Sequence, residues 1–144
     1  MKWVRFLHGG TTAFGSIEGE LVHRHEGDLL DAPRPTGERL PLATLALLAP
    51  CVPGKVIGLW NNFRAAAEKN GWAEPAEPLY FLKSPGSVNG PGQPVPVPLS
   101  YDGRVAYEGE LAVVIGRRAR GVSAEQAADV IFGYTCANDV TALE

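Results

Sequence analysis

The sequence has little of what marks secreted, membrane-spanning and nucleic-acid-binding proteins. It holds only two cysteines, Cys51 and Cys136, and no signal-peptide core at its start, so a disulfide framework is not expected. The apolar stretch 40–52 contains two prolines and is too short to cross a bilayer. No run of Lys or Arg exceeds the pair Arg117–Arg118, so no phosphate-binding surface is predicted. We expect a cytoplasmic protein with neither nucleic acid nor membrane as a partner.

What the chain does contain is enough apolar sequence for a packed core. Of its 144 residues, 45% are hydrophobic and 20% are charged, with both signs mixed and a net charge of −3, which argues against long disorder. This length fits one domain, or a small domain and part of another. A break around Pro50–Gly54 divides the chain into a small β-rich unit, 1–52, and a second unit, 53–144.

The N-terminal unit shows short apolar runs separated by glycines. Residues 2–7, 12–17 and 20–25 are predicted to be strands. The segment 31–41 has three prolines and a glycine and is predicted to be a loop. The Ala/Leu-rich segment 42–48 is a weak helical candidate.

The second unit begins with a predicted strand over 55–60. Asn61 or Asn62 could cap a helix through 64–69, and Asn70–Gly71 is a good helix stop. Residues 79–82 have strand character.

The remainder alternates a loop with long strands. Segment 84–98 holds five prolines and three glycines and predicts an extended loop. Residues 105–116 have the clearest strand pattern, and 134–140 also look extended. Between them, Ser123 to Gln126 has the form of a capping box, which predicts a helix through Ile131.

Three acidic residues in this part are candidate metal ligands. Glu108 and Glu110 lie two apart in a strand, so they share a face with Cα atoms roughly 6.5 Å apart. Asp139 follows 29 positions after Glu110 in an apolar segment, where a carboxylate needs a partner. Oxygen ligands of this kind favour Mg²⁺ or Mn²⁺. Two alternatives stay open: the glutamates form the solvated face of a strand, and Asp139 caps a turn.

Three sequence motifs, taken together and in order, resemble those of a known family. They are Phe-Leu-Lys at 81–83 before the Pro/Gly loop, Tyr-Glu-Gly-Glu-Leu-Ala-Val-Val-Ile-Gly at 107–116 and Gly-Tyr-Thr-Cys-Ala-Asn-Asp-Val at 133–140. Over residues 55–140 the chain resembles the fumarylacetoacetate hydrolase superfamily. Within it, the chain is most similar to the bacterial 5-carboxymethyl-2-hydroxymuconate isomerase and 2-hydroxyhepta-2,4-diene-1,7-dioate isomerase/decarboxylase group. The resemblance implies a β-rich α+β fold, a mixed β-roll with a small N-terminal β-unit, and a homodimer.

The resemblance also assigns roles to particular residues. It implies that Glu108, Glu110 and Asp139 bind one Mg²⁺ or Mn²⁺. Lys83 matches a lysine near the substrate and is a candidate catalytic and substrate-binding residue that could pair with a substrate carboxylate; the alternative is a strand-end lysine in solvent. Arg64 is a candidate for meeting an anionic substrate, with an exposed helix residue as the alternative.

One departure from the family bears on the reaction. Hydrolytic members carry Asn-Tyr-x-x-His-x-x-Glu in the helix after the first strand, and alignment on Asn62 places Ala66 at the His position and Lys69 at the Glu position. Glu68 is one residue out of register, which is 100° around a helix. Carbon–carbon bond hydrolysis needs a positioned base to activate water, so this departure favours tautomerisation or decarboxylation.

The expected activity is therefore that of a metal-dependent isomerase or decarboxylase. Its substrate would be a 2-hydroxydienoate or a 2-oxo dicarboxylate from aromatic catabolism, converted through an enolate that the metal's charge stabilises. An acylpyruvate- or fumarylpyruvate-type hydrolase, or an oxaloacetate decarboxylase on the same site, is the alternative enzyme.

An alternative of another class is a non-catalytic fragment or assembly module. The chain ends in Ala142-Leu143-Glu144, where family members continue with Ala-Arg-Asp and the rest of the roll. The sequence is expected to stop partway through the catalytic domain.

Overall fold

The computed structural model describes residues 1–143, and most of them lie in β-strands. The first unit is a five-stranded antiparallel sheet with the strand order β4-β3-β2-β1-β5. Its strands are β1 (Lys2–His8), β2 (Thr11–Glu18), β3 (Leu21–Asp28), β4 (Asp31–Pro41) and β5 (Ala46–Leu48). The three strands predicted within the first 25 residues are confirmed.

Glycine makes two features of this sheet possible. Gly9 and Gly10 have φ values of 56° and 76°, the left-handed conformation that a two-residue hairpin turn requires between β1 and β2. Gly15 lies against β3 so closely that a Cβ atom would overlap the His23 carbonyl oxygen. The β2–β3 pairing therefore depends on the missing side chain at this position.

A small core lies on one face of this sheet. Phe6 and Val22 are fully buried, and Ala13 is buried beside them. Partly buried apolar side chains pack around them: Val4, Ile17, Leu40, Leu42, Leu45 and Leu47. Burying a side chain such as Phe or Val stabilises the fold by about 1.5–3 kcal/mol, so these two residues anchor the unit.

The second part of the chain consists of two antiparallel hairpins and one helix. Its elements are β6 (Val56–Trp60), α1 (Arg64–Asn70), β7 (Leu79–Lys83), β8 (Arg104–Ile115) and β9 (Ile131–Leu143). Strand β6 pairs with β7, and β8 pairs with β9. The predicted strands of this part, the helix over 64–69 and the Pro/Gly loop before β8 are confirmed, and the loop carries a 3₁₀ turn at Pro85–Ser87.

The prediction of a loop over 31–41 is wrong, because this segment forms β4. The strand lies at the edge of the sheet, where a proline without an N–H group is tolerated. Its pairing with β3 shifts register twice, and Pro35 and Pro41 pair with His25 and Leu21. The prolines bend an edge strand here without ending it.

The prediction of a helix over 42–48 is also wrong. Leu42–Thr44 form one 3₁₀ turn, and β5 then pairs with the free edge of β1. A short Ala/Leu run does not distinguish strand from helix by itself. The open edge of β1 and the core beneath it decide the outcome.

Two helix starts differ from expectation. The residue that precedes α1 is Phe63, with no side-chain cap, whereas Asn61 Nδ2 donates to the Ala73 carbonyl oxygen at 2.9 Å. At Ser123, both capping-box hydrogen bonds to Gln126 form, but only a 3₁₀ turn follows at Ala127–Val130. Ile131 is already paired with β8, so the backbone must become extended before a helix can grow.

Candidate functional site

The β8–β9 hairpin gathers the three acidic candidates on one face. Glu108 is paired directly with Asp139, and Glu110 with Ala137. Directly opposed residues in an antiparallel pair have Cα atoms about 4.5–5.5 Å apart and side chains on the same face. Glu108, Glu110 and Asp139 are therefore neighbours although Asp139 is far away in the sequence.

Asp139 finds its charge partner in Lys83. Lys83 is the last residue of β7, and its Nζ atom forms a salt bridge and hydrogen bond with Asp139 Oδ1. The Asp139 side chain is only 8% exposed and that of Lys83 is 27% exposed. The Thr141 hydroxyl donates to the same oxygen at 3.4 Å. Lys83 is thus a half-buried member of the acidic site that ties one hairpin to the other, and it does not extend freely into solvent.

The protonation of Glu110 depends on its surroundings on this face. Partial burial raises the pKa of Glu110, and the nearby charges of Asp139 and Glu108 raise it further, while Lys83 acts in the opposite direction. Glu108 is more exposed, and its backbone N–H donates to Asn138 Oδ1 at 3.1 Å. The face therefore carries more negative charge than Lys83 neutralises.

The donor set fits a hard divalent cation. All three candidate ligands offer carboxylate oxygens, which Mg²⁺ and Mn²⁺ prefer. The repulsion that raises the pKa of Glu110 is what a cation on this face would relieve. Within residues 1–143, no group of three or more His, Cys, Asp or Glu side chains is arranged so that it could hold a metal ion as it stands, so the three carboxylates would have to move closer together to bind one. In this structure the Lys83 ammonium supplies the positive charge at Asp139.

Arg64 is not brought together with these acids. It is the first residue of α1, is exposed, and its guanidinium lies 3.5 Å from the Glu74 carboxylate. It lines a separate groove beside α1 that includes neither Lys83 nor the three acids. Its role in substrate binding stays a prediction.

Sequence reasoning missed Thr141 and Asn138. Thr141 lies two positions after Asp139 in β9 and so shares its face, a relation that period-2 counting could have found. Asn138 points to the other face by the same rule, and its bond to the Glu108 backbone is visible only when the register of the hairpin is known.

The fold is a strand-rich domain in which Lys83 meets the carboxylate face of the β8–β9 hairpin. A family model described as fumarylacetoacetate (FAA) hydrolase C-terminal matches residues 55–144, and a second, Rv2993c-like N-terminal, matches residues 1–50. The chain belongs to the fumarylacetoacetate hydrolase family. The division at residue 52 stays a prediction, and Glu144 lies outside the described residues.

Individual proteins resemble this chain in sequence, and two of them also in solved structure. The 5-carboxymethyl-2-hydroxymuconate delta-isomerase from Mycobacterium smegmatis is 38% identical with a TM-score of 0.87, matching 99% of this chain and 56% of its own. The oxaloacetate tautomerase YisK of Bacillus subtilis is 38% identical over 87% of this chain and 44% of its own. A maleylpyruvate hydrolase from Sphingobium, solved with manganese(II) and pyruvate, is 25% identical with a TM-score of 0.72, matching 99% of this chain and 59% of its own. The predicted family and the strand-rich fold class are confirmed.

The chain spans about half the length of the curated relatives it matches. Across residues 1–143, the structure has no helix that is both long and apolar enough to traverse a lipid bilayer.

Proposed function

We propose that this protein is a divalent-metal-dependent isomerase or decarboxylase of the fumarylacetoacetate hydrolase superfamily. Its substrate would be a 2-hydroxydienoate or 2-oxo dicarboxylate of aromatic catabolism. The relatives named above include an isomerase and a tautomerase that act on acids of this kind. The observation that carries the proposal is the pairing of Glu108 with Asp139 on the face that also holds Glu110 and Lys83.

The proposed metal ligands are Glu108, Glu110 and Asp139, with Mg²⁺ or Mn²⁺ as the ion. A bound divalent ion would act as a Lewis acid toward an oxygen of the substrate. Asp139 would exchange its Lys83 partner for the ion, and Thr141 would keep the carboxylate oriented through its hydroxyl.

Lys83 is the proposed substrate-binding residue. Once Asp139 has a metal as its partner, the Lys83 ammonium is free to pair with a substrate carboxylate at the same face. Its low exposure strengthens such a pair, because less water competes for the charge. In this role Lys83 orients an anionic substrate and disfavours neutral analogues.

A hydrolase or an oxaloacetate-specific enzyme on the same site is the alternative. The maleylpyruvate hydrolase and the oxaloacetate tautomerase among the relatives support this alternative function. Against hydrolysis stands α1, where Ala66 and Lys69 occupy the positions of the water-activating His and Glu. Neither methyl nor ammonium groups accept a proton from water at neutral pH.

Metal binding is tested by titrating Mn²⁺ into the protein and following the free ion by electron paramagnetic resonance. We expect Glu108→Gln to weaken binding by at least about tenfold, since loss of even an outer-shell partner commonly costs 10–100-fold. Glu26→Gln, an exposed carboxylate on β3, is the matched control and should bind as the parent does. Equal Mn²⁺ affinity in the parent and in Glu108→Gln would refute the ligand assignment.

The reaction is tested by supplying the protein with Mg²⁺ and a panel of 2-oxo and 2-hydroxydienoic acids. The expected result is loss of dienol absorbance without release of pyruvate. Lys83→Met should raise KM for dicarboxylates more than it lowers kcat, since it removes a charge that binds substrate. Pyruvate release from fumarylpyruvate with no turnover of a dienol would favour the hydrolase instead.

A further inference from the structure

A groove beside α1 is independent of the acidic face. Its volume is about 550 Å³, and it lies between the end of β6, one side of α1 and the segment 72–79. Arg64, Ala67 and Glu68 supply the helix side of the groove. Ala66 and Lys69, which align with the family's catalytic dyad, do not line it. The groove is therefore not explained by the proposed reaction.

Two tryptophans form the apolar part of this groove. Trp60 ends β6 and Trp72 follows α1, and their ring centroids are 5.1 Å apart at an interplanar angle of 37°. Their exposed fractions are 48% and 44%, unusually high for two adjacent indoles. The Trp72 backbone N–H donates to the Ala67 carbonyl oxygen at 2.9 Å, next to the left-handed Gly71 that ends the helix. The helix end thus fixes the ring pair in advance.

The charges around the ring pair are mainly negative. Three carboxylates line the groove, from Glu68, Glu74 and Glu77, against one cation, Arg64. Arg64 is itself paired with Glu74, so no cation among the residues that line the groove balances Glu68 and Glu77. A groove with this balance attracts cations and repels the anionic substrates proposed for the other site.

We propose that this groove binds a small organic cation, an alkylated ammonium group. The indole faces of Trp60 and Trp72 attract the alkylated cationic centre through their negative quadrupole. Glu68 and Glu77 supply the balancing negative charge. The Arg64 guanidinium competes with the ligand's cationic group for the Glu74 carboxylate, with which it forms a salt bridge in this structure.

Choline and its neutral isostere, 3,3-dimethyl-1-butanol, test the proposal. The protein has three tryptophans, so three indole N–H signals are expected in a ¹H–¹⁵N spectrum. Saturable choline-dependent shifts of the Trp60 and Trp72 signals, with Trp3 unmoved, are the expected result. The isostere should bind about fivefold more weakly or worse, since it lacks the cation–π attraction. Equal binding of the two compounds, or no saturable shift with choline, would overturn the proposal.

Variants supply a second, independent arm. Trp72→Leu should weaken choline binding by about fivefold or more, whereas Trp3→Phe, in β1, should not change it. Arg64→Gln should strengthen binding, because it frees the Glu74 carboxylate for the ligand. Choline affinity that is unchanged in Trp72→Leu would place the ligand elsewhere and refute this site. None of these outcomes depends on Mn²⁺ binding at Glu108, so the two proposals stand or fall separately.

Discussion

Lys83 is the residue for which the structure adds most to what the sequence predicts. In the sequence it is a lysine at the end of an apolar run, and the sequence allows either a substrate-binding residue or a solvent-exposed one. In the structure it neutralises Asp139, whose side chain is only 8% exposed. Breaking a buried pair by removing one partner leaves an uncompensated charge, which costs several kcal/mol. Lys83 therefore stabilises the junction of the two hairpins, and under the proposed function it would also pair with a substrate carboxylate.

Glu38 shows how a single carboxylate makes stability depend on pH. Its hydrogen bond with Arg24, at 2.7 Å, lowers the pKa of Glu38, and His8 at 3.4 Å acts in the same direction. The folded chain thus binds fewer protons than the unfolded chain in the window just below the ordinary pKa of a glutamate. Stability in that window rises with pH.

We predict that Glu38→Gln lowers the free energy of unfolding at pH 7. The difference from the parent should shrink as the pH falls below about 4.5 and through the folded pKa, because the parent carboxylate is then protonated as well. Urea denaturation at several pH values measures it. Glu26→Gln, whose ion pair with Arg34 is longer and exposed, should have little effect at any pH. A constant difference between Glu38→Gln and the parent across the range would contradict the prediction.

At the scale of elements, the local sequence pattern predicted secondary structure correctly where strands are long or where glycines mark turns. The alternation over 105–116 predicted β8, and Asn70–Gly71 predicted the end of α1. It failed at β4 and β5, where an edge position and an open strand edge overrode proline content and helix propensity. It also failed after Ser123, where the capping bonds formed without a following α-helix.

Gly15 provides an element-scale prediction about the β2–β3 pairing. Gly15→Ala should lower the free energy of unfolding by about 1–3 kcal/mol, because the new methyl group would overlap the His23 backbone and the Val22 side chain. Gly133→Ala, in β9, is the matched control, since a Cβ atom there meets nothing within 4 Å. Thermal unfolding followed by circular dichroism measures both. Equal melting temperatures for the two variants would show that β3 can move away at little cost.

The whole molecule exposes far more surface than its mass requires. Its accessible area is 11235 Å², whereas a compact protein of 15.4 kDa is expected to expose about 7,200 Å². One continuous part of this surface lies on the side of the β8–β9 hairpin opposite the acids, where Tyr107 is 84% and Leu111 is 69% exposed. Protein–protein contact is one role of exposed apolar patches in soluble proteins.

We therefore predict that the 144-residue chain associates in solution through this apolar side. Sedimentation velocity should show an average mass that rises with concentration, and Leu111→Thr combined with Val113→Thr should reduce it, because both side chains lie on that side. Val52→Thr, at an even more exposed position outside the hairpin, should leave the average mass unchanged. The homodimer implied by the family resemblance is one form such association can take. A monomer at every concentration would contradict the prediction.

The sequence by itself determined the family, most strands and the shared face of Glu108 and Glu110, because these depend on local order and on the period of two along a strand. Only the tertiary structure decided that Asp139 pairs with Glu108 and that Lys83 neutralises it, since both depend on the register of strands distant in sequence. It also decided that β4 and β5 are strands, because their conformation depends more on pairing with a neighbouring strand edge than on their own residues. The α1 groove came from structure alone, because its two tryptophans meet only after Gly71 reverses the chain.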